Sequence, residues 1–367
     1  MDTKHKLLVI CPYPQGLAAG QRLKYEQYFN DWRSMGVEIK VSSFFNERTW
    51  GKLYLKGFYL IKLFGVLRGY VKRVYDLFRV QKYDAIYVFM WGTPKGLPIY
   101  EVLLKMRAKK IIYDLEDNLL LNGSGQSSKD LLHFSQLKGN FKQNYLVKVA
   151  NHVITSSPYL EQRCQKINYF GMASYITSSI NTDLFKPSGK ILGATLRIGW
   201  TGTFSSKPYL DSLRPILVEL AKRVEYKLVV IGNFDYKIEG VDLELITWSK
   251  ESEVTDMQSI DIGLYPLFDD EWVLGKSGLK AIQYMAFGIP TVATCAGLTP
   301  SIVEDKVTGF LVKTNDDWLN ALENLSRDQE LRLKMGLAAR KKALELYSTD
   351  VVANKYRNVL NRVLRKI

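Results

Sequence analysis

Strand-length apolar runs alternate with helix-length amphipathic stretches along nearly all of this 367-residue chain, and that alternation restricts the fold most. Leu7–Cys11 reads as a first buried strand, and Gln21–Arg33 as a helix with Leu23, Tyr25, Phe29 and Trp32 for its buried face. Val37–Phe44, Ala85–Phe89 and Lys110–Tyr113 read as further strands. Phe141–Ala150 reads as a helix leading into a strand at His152–Thr155, and Tyr175–Thr177 closes the half. Repeated βα units of this kind predict parallel sheets in an α/β fold. Pro187, Ser188 and Gly189 break any element, so the linker falls within Asn181–Lys190. The alternation restarts at Leu196–Trp200. It continues through Tyr226–Ile231, Leu243–Ile246, Ile260–Leu264, Thr291–Ala293 and Gly309–Val312, before helical stretches at Asp317–Leu325, Leu331–Tyr347 and Val351–Ile367. The expected organisation is an N-terminal Rossmann-like domain over 1–186, a second over 187–349, and a last helix, 350–367, packing back on the first domain.

Cys11, Cys164 and Cys295 are far apart and in no metal-ligand spacing, which argues for a reducing compartment. Three histidines leave a His-rich metal site without ligands. The first ten residues lack the length and cleavage site of a signal peptide, and no stretch reaches the ~18–20 apolar residues of a membrane span. A cytoplasmic location is therefore expected. The formal charge of +14 suits nucleic acid, anionic lipid or phosphorylated ligands alike.

Ligands of open α/β sheets bind beyond the carboxyl ends of strands, so the loops after strands carry the candidate residues. In Gly275–Ala293 a glycine-containing turn with Ser277 and Gly278 opens a helix bearing Lys276, Lys280 and Gln283. The N–H groups of a helix start favour a phosphate, and lysines add charge. Lys276 and Lys280, four apart, can share a helix face, and Gln283 could meet ribose hydroxyls. The alternative is a surface helix with two solvated lysines.

This segment resembles the signature helix of family 4 glycosyltransferases, in the subgroup with G-K-x-G-x-K-x-x-Q-Y-M-A. Other segments agree in order: Gly20–Gln27, Tyr113–Asp117, Arg197–Gly202, and Asp261–Leu267 with Trp272. The resemblance spans the chain except about residues 49–83. It implies the GT-B fold, two doubly wound Rossmann-like domains facing across a cleft, and a nucleoside-diphosphate sugar as donor with no cofactor and no bound metal. Many relatives carry two glutamates eight positions apart; here Gly275 and Gln283 stand at those places, so Gln283 keeps the ribose role and Gly275 brings no carboxylate. Thr203 stands where many relatives have arginine after Gly202, leaving Lys207 as a further candidate for the phosphate.

In Tyr113–Asp117 three acids follow a strand, and Asp114 is read as the group that accepts a proton from an acceptor hydroxyl. The motif also invites a Mg²⁺ or Mn²⁺ reading, or a helix cap with solvated acids. In Ala18–Arg22, Gly20 permits close backbone approach to donor phosphates, and Arg22 could pair with phosphate or with the nearby acids. Trp91–Lys95 reads as a strand-to-helix loop, Trp248 as a base-side contact or a core residue, and His133 and His152 as non-catalytic.

Gly51–Lys82 holds eight Lys or Arg and one Asp, with Leu, Phe, Tyr and Val between them. A basic helix with an apolar face suits an anionic membrane surface; packing on the sheet with snorkelling cations is the alternative. The resemblance implies a retaining hexosyltransferase, and a surface polysaccharide or lipid-linked oligosaccharide is the acceptor expected with it; the basic stretch adds the expectation of a peripheral place at the inner face of the cytoplasmic membrane, with no nucleic acid partner. Lys280 would stabilise the leaving phosphate and Asp114 would serve the acceptor. A nucleotide-sugar epimerase of similar fold and a non-catalytic membrane-associated scaffold remain open.

Overall fold

The computed structural model describes residues 5–94, 96–120, 140–188 and 195–365. The chain forms two compact units.

The first unit comprises residues 1–177, 275–277 and 352–367. Its strands are β1 (His5–Cys11), β2 (Val37–Ser43), β3 (Ala85–Phe89), β4 (Ile111–Leu115), β5 (His152–Thr155) and β6 (Ala173–Tyr175). Its helices are α1 (Ala19–Arg22), α2 (Phe29–Ser34), α3 (Glu47–Trp50), α4 (Tyr59–Arg79), α5 (Ile99–Arg107), α6 (Phe141–Val149) and α7 (Pro158–Ile167). The strands are parallel in the order β2-β1-β3-β4-β5-β6, with Leu7 opposite Ala85 and Ile112 opposite His152. Alternate side chains of β1 leave the sheet on opposite faces: Leu7, Val9 and Cys11 join one core, Leu8 and Ile10 the other. The helix expected over Gln21–Arg33 is broken into α1, a 3-10 turn at Glu26–Tyr28 and α2. The tighter turn lets Tyr25 and Tyr28, three apart, both be buried. Tyr25 packs against Tyr87 and Phe89 at ring separations of 5.1 and 5.0 Å. β4 runs to Leu115 and takes Asp114 into the sheet.

The second unit comprises residues 178–274 and 278–351. Its strands are β7 (Arg197–Thr201), β8 (Lys227–Gly232), β9 (Asp242–Thr247), β10 (Ile262–Tyr265), β11 (Thr291–Thr294) and β12 (Gly309–Val312). Its helices are α8 (Lys207–Asp211), α9 (Arg214–Ala221), α10 (Glu253–Met257), α11 (Leu279–Ala286), α12 (Thr299–Ile302), α13 (Asn315–Arg327) and α14 (Gln329–Leu346). The parallel order β12-β11-β10-β7-β8-β9 puts the topological switch between β7 and β10. Arg340 of α14 donates to the Thr182 and Phe185 carbonyls at 2.8 Å each and to Ala286 O at 2.6 Å, tying residues 182–185 to the end of α11. A final helix, α15 (Thr349–Leu364), belongs from Val352 on to the first unit. There Tyr356 packs on Tyr28 and Trp32 at 4.7 and 5.8 Å. No helix among the described residues is long and apolar enough to cross a membrane.

Candidate functional site

In the second unit the switch point is floored by glycine. Gly202, just past β7, donates its N–H to Ile231 O at 3.0 Å. A Cβ on Gly202 would overlap the Trp200 ring, and one on Gly232 would lie 2.5 Å from Gly202 O. Side chains are excluded there, so backbone is open to close approach. Thr203 and Ser206 form a reciprocal capping box around the 3-10 turn Phe204–Ser206. Lys280, in the first turn of α11, brings its ammonium 3.5 Å from Ser206 Oγ and 4.5 Å from the centre of the Trp200 ring. The aromatic face helps hold the cation at this spot. Gly278 caps α11 in the left-handed region, at φ +70°. A Cβ there would overlap Ile302.

Four other candidates have the following surroundings. Lys207 is paired locally with Asp211 at 2.7 Å and lies over the Tyr236 ring at 5.4 Å. Lys276 precedes α11 and shares no helix face with Lys280; its ammonium lies 3.6 Å from Asp117 in the first unit. Gln283, on α11, is buried, at 7% exposed. Trp248 follows the edge strand β9, donating its backbone N–H to Gly232 O at 3.3 Å. That places it two strands from β7, roughly 10 Å away. Ser206 was not foreseen, although the Thr-x-x-Ser spacing after β7 was its signal.

In the first unit Asp114 is fully buried. Lys24 Nζ lies 3.0 Å from its carboxylate and the Tyr87 hydroxyl donates to it. A group sealed in this way has no path to an acceptor hydroxyl, so Asp114 is an anchor and not the proton acceptor expected from sequence. Burial pushes the Asp114 carboxyl up against the opposing pull of Lys24. Burial lowers Lys24, but Asp114, Glu116 and Asp117 outweigh it and hold the ammonium above its usual range.

The acids past β4, Glu116 and Asp117, are both half-buried. Burial pushes Glu116 up to about 7; Lys24 and Lys276 pull down while Asp117 and Asp114 push up. It stands beside α1, where a Cβ on Gly20 would be 3.8 Å from Glu116 Oε2. Gln21 pins the loop before α1, donating to Tyr13 O at 3.0 Å and to Glu26 at 2.6 Å. Arg22 occupies the last turn of α1. Asp117 adopts φ +58°, a strained backbone for a side-chain-bearing residue and one common at functional sites. Among the described residues no three His, Cys, Asp or Glu side chains converge as metal ligands. Trp91 packs on Phe44 at 5.6 Å, and His133 and Lys95 lie outside the described residues.

Gly275 also belongs to this unit. Its carbonyl accepts from Ser156 Oγ at 2.7 Å, and a Cβ on it would lie 2.5 Å from Asn118 N. A side chain at 275 would run into Asn118.

Residues 203–342 match the family model described as "Glycosyl transferases group 1". The chain is similar along its length to sucrose-phosphate synthase from Thermosynechococcus elongatus, at 14% identity and a TM-score of 0.69, covering 98% of this chain and 99% of that one. It is similar to the Anabaena protein Alr3699/HepE, solved in complex with UDP-glucose, at 14% identity and a TM-score of 0.65, covering 98% and 100%. With the two parallel six-stranded sheets, these likenesses define the fold as GT-B, built of two Rossmann-like domains. Among curated proteins, D-inositol 3-phosphate glycosyltransferase of Corynebacterium aurimucosum is 38% identical over 84 residues, covering 22% of this chain. The chain matches only 19% of that relative's length.

Proposed function

We propose that this chain is a glycosyltransferase that moves a sugar from a nucleoside-diphosphate sugar to a hydroxyl acceptor. The observation that carries the reading is the approach of Lys280 to Ser206 over the Gly202 floor, at the switch point of a sheet whose sequence matches a sugar-transferase model. Cleavage of the sugar–phosphate bond leaves negative charge on the diphosphate. Lys280, Ser206 Oγ and the first N–H groups of α11 supply positive charge and donors where that charge develops. UDP-glucose bound to the similarly folded Anabaena protein supports a sugar nucleotide as donor.

Glu116 is the acid that can accept a hydrogen bond from an acceptor hydroxyl, since it is partly exposed and titrates near neutrality. Lys24 and Asp114 set its electrostatic surroundings from below. Retention at the anomeric carbon follows from the family resemblance, with the acceptor attacking on the face the phosphate leaves. A surface polysaccharide or lipid-linked oligosaccharide is the acceptor we favour.

The reading is tested by incubating the protein with UDP-, GDP- and ADP-sugars, with and without simple glycoside acceptors. Transfer releases the free nucleoside diphosphate and yields an α- or β-glycoside whose anomeric configuration NMR assigns. An epimerase would return isomerised sugar nucleotide and release none. A scaffold would do neither, and its thermal midpoint would not rise with any nucleoside diphosphate.

A further inference from the structure

Helix α4 is built inside out. The residues it buries are Gly65, Gly69, Arg73 and Asp76. Leu60, Phe64, Leu67, Val71, Val74 and Phe78 are all at least half exposed. At 3.6 residues per turn these two sets lie on opposite stripes of a helix about 31 Å long. The inward stripe fixes the orientation. A Cβ on Gly65 would overlap Thr49, and one on Gly69 would overlap the Phe44 ring. Arg73 then donates to the carbonyls of Cys11 at 2.9 Å, Ser42 at 3.1 Å and Gly92 at 2.6 Å, and pairs with Asp76 at 3.1 Å. Arg73 is therefore a core residue that binds the carboxyl ends of β1 and β2 and the loop after β3, not a surface cation as its place in a basic stretch suggested. Turning the apolar stripe inward would break this network and drive side chains into Phe44 and Thr49.

The exposed stripe continues onto α5, which packs beside α4 and exposes Ile99, Leu103 and Met106. Cations flank it. Arg68 and Lys72 follow one edge, and Lys56 and Lys82 stand exposed before and after the helix. Beside the stripe, Arg48 and Arg68, both exposed, line a pocket of about 250 Å³ together with Ile61, Phe64 and Asn46. The one acid of the 51–82 stretch, Asp76, is already neutralised inside by Arg73 and Arg79. An apolar face with cations at its margin complements a bilayer that is apolar within and anionic at its surface.

We propose that this α4–α5 face docks the first unit on an anionic membrane, with Leu60, Phe64 and Phe78 entering the acyl boundary and the Arg48–Arg68 pocket taking a phospholipid phosphate. The inference does not depend on the sugar-transfer reading. The test is co-sedimentation of the full chain with vesicles of phosphatidylcholine alone or with 30 mol% phosphatidylglycerol, at about 0.1 and 0.5 M salt, chosen to differ several-fold in screening. The protein should bind the anionic vesicles, weaken at high salt and keep a residual fraction. Arg48→Gln with Arg68→Gln should lower the low-salt partition roughly thirtyfold, from the usual contribution of two basic residues at an anionic surface. Phe64→Ser with Phe78→Ser should abolish the salt-resistant fraction. Both pairs replace exposed side chains, and unchanged thermal midpoints in buffer would show that the fold is kept. Binding indifferent to lipid charge, or unaltered in both variants, would overturn the proposal. So would a concentration-dependent dimer dissolved by Phe64→Ser, which would make the face a contact between copies of the chain.

Discussion

Lys24 lies 3.0 Å from the carboxylate of Asp114 in the interior of the first unit, where the lysine is 7% exposed and the aspartate 0%. Removing one partner of a buried pair strands the other charge, at a cost of about 3–5 kcal/mol. Asp114→Asn should therefore lower unfolding stability by about that much in urea titrations. Lys24→Met with Asp114→Asn should recover a good part of the loss. If Asp114→Asn leaves stability unchanged, the pair is not the anchor described above.

Glu116 carries the pH dependence. Its carboxyl in the folded chain titrates near 7 against about 4.5 unfolded. Between those values the native state holds a proton that the unfolded chain releases, so the Glu116 contribution to stability falls as pH rises from about 4.5 to about 7. Glu116→Gln should be more stable than wild type above pH 7, and the difference should vanish at the acid end of that window. Transfer by the wild type should rise with pH through about 7 as the acceptor-side carboxylate forms. In Glu116→Gln the rate should drop and that limb should disappear. Matching pH profiles for the two proteins would remove Glu116 from the chemistry.

His152 acts in the opposite sense. It is fully buried, 3.0 Å from Ser174 Oγ, and burial, helped by Arg362, lowers it to about 4. Its folded value lies below its unfolded one, so the stability it supplies is complete above about 6.5 and is lost as pH falls towards 4. His152→Gln should show a shallower fall in melting temperature across that acid range. An unchanged slope would mean that the ring stays reachable by water.

Gly275 stands against Asn118, 2.5 Å from where a Cβ would meet its backbone nitrogen. Placing a carboxylate at this position should therefore fail. Gly275→Glu should lose about 1–3 kcal/mol of stability, the usual cost of overpacking, and should not raise transfer. A stable and faster Gly275→Glu enzyme would show that the loop yields.

The strands were legible because a sheet covered on both faces needs apolar runs, and Leu7–Cys11, Ala85–Phe89 and Tyr226–Ile231 have them. The charge at Asp114 hid the end of β4, which runs on to Leu115, so the acceptor-side role was expected at Asp114 where we propose Glu116. Nothing local announces Lys24 as its partner, since 90 residues separate them and only the sheet brings them together. In α4 the period was visible but the inward stripe was not, and Arg73 was counted among surface cations. The signal was Gly65 and Gly69, spaced with Arg73 at four-residue intervals, which mark the side where another backbone or ring comes close. Lys280 was legible as a candidate because lysines at a helix start are local in sequence, whereas the pairing of Lys207 with Asp211 depends on which rotamer the fold prefers.

Lys280 is the cation that we propose receives the donor diphosphate. Calorimetric titration of UDP and uridine into wild type and Lys280→Ala measures this directly. A charge-assisted hydrogen bond is worth about 1.5–3 kcal/mol, so UDP should bind the variant roughly 10- to 150-fold more weakly while uridine affinity stays within about twofold. Equal UDP affinity in the two proteins, or a parallel loss for uridine, would contradict the assignment.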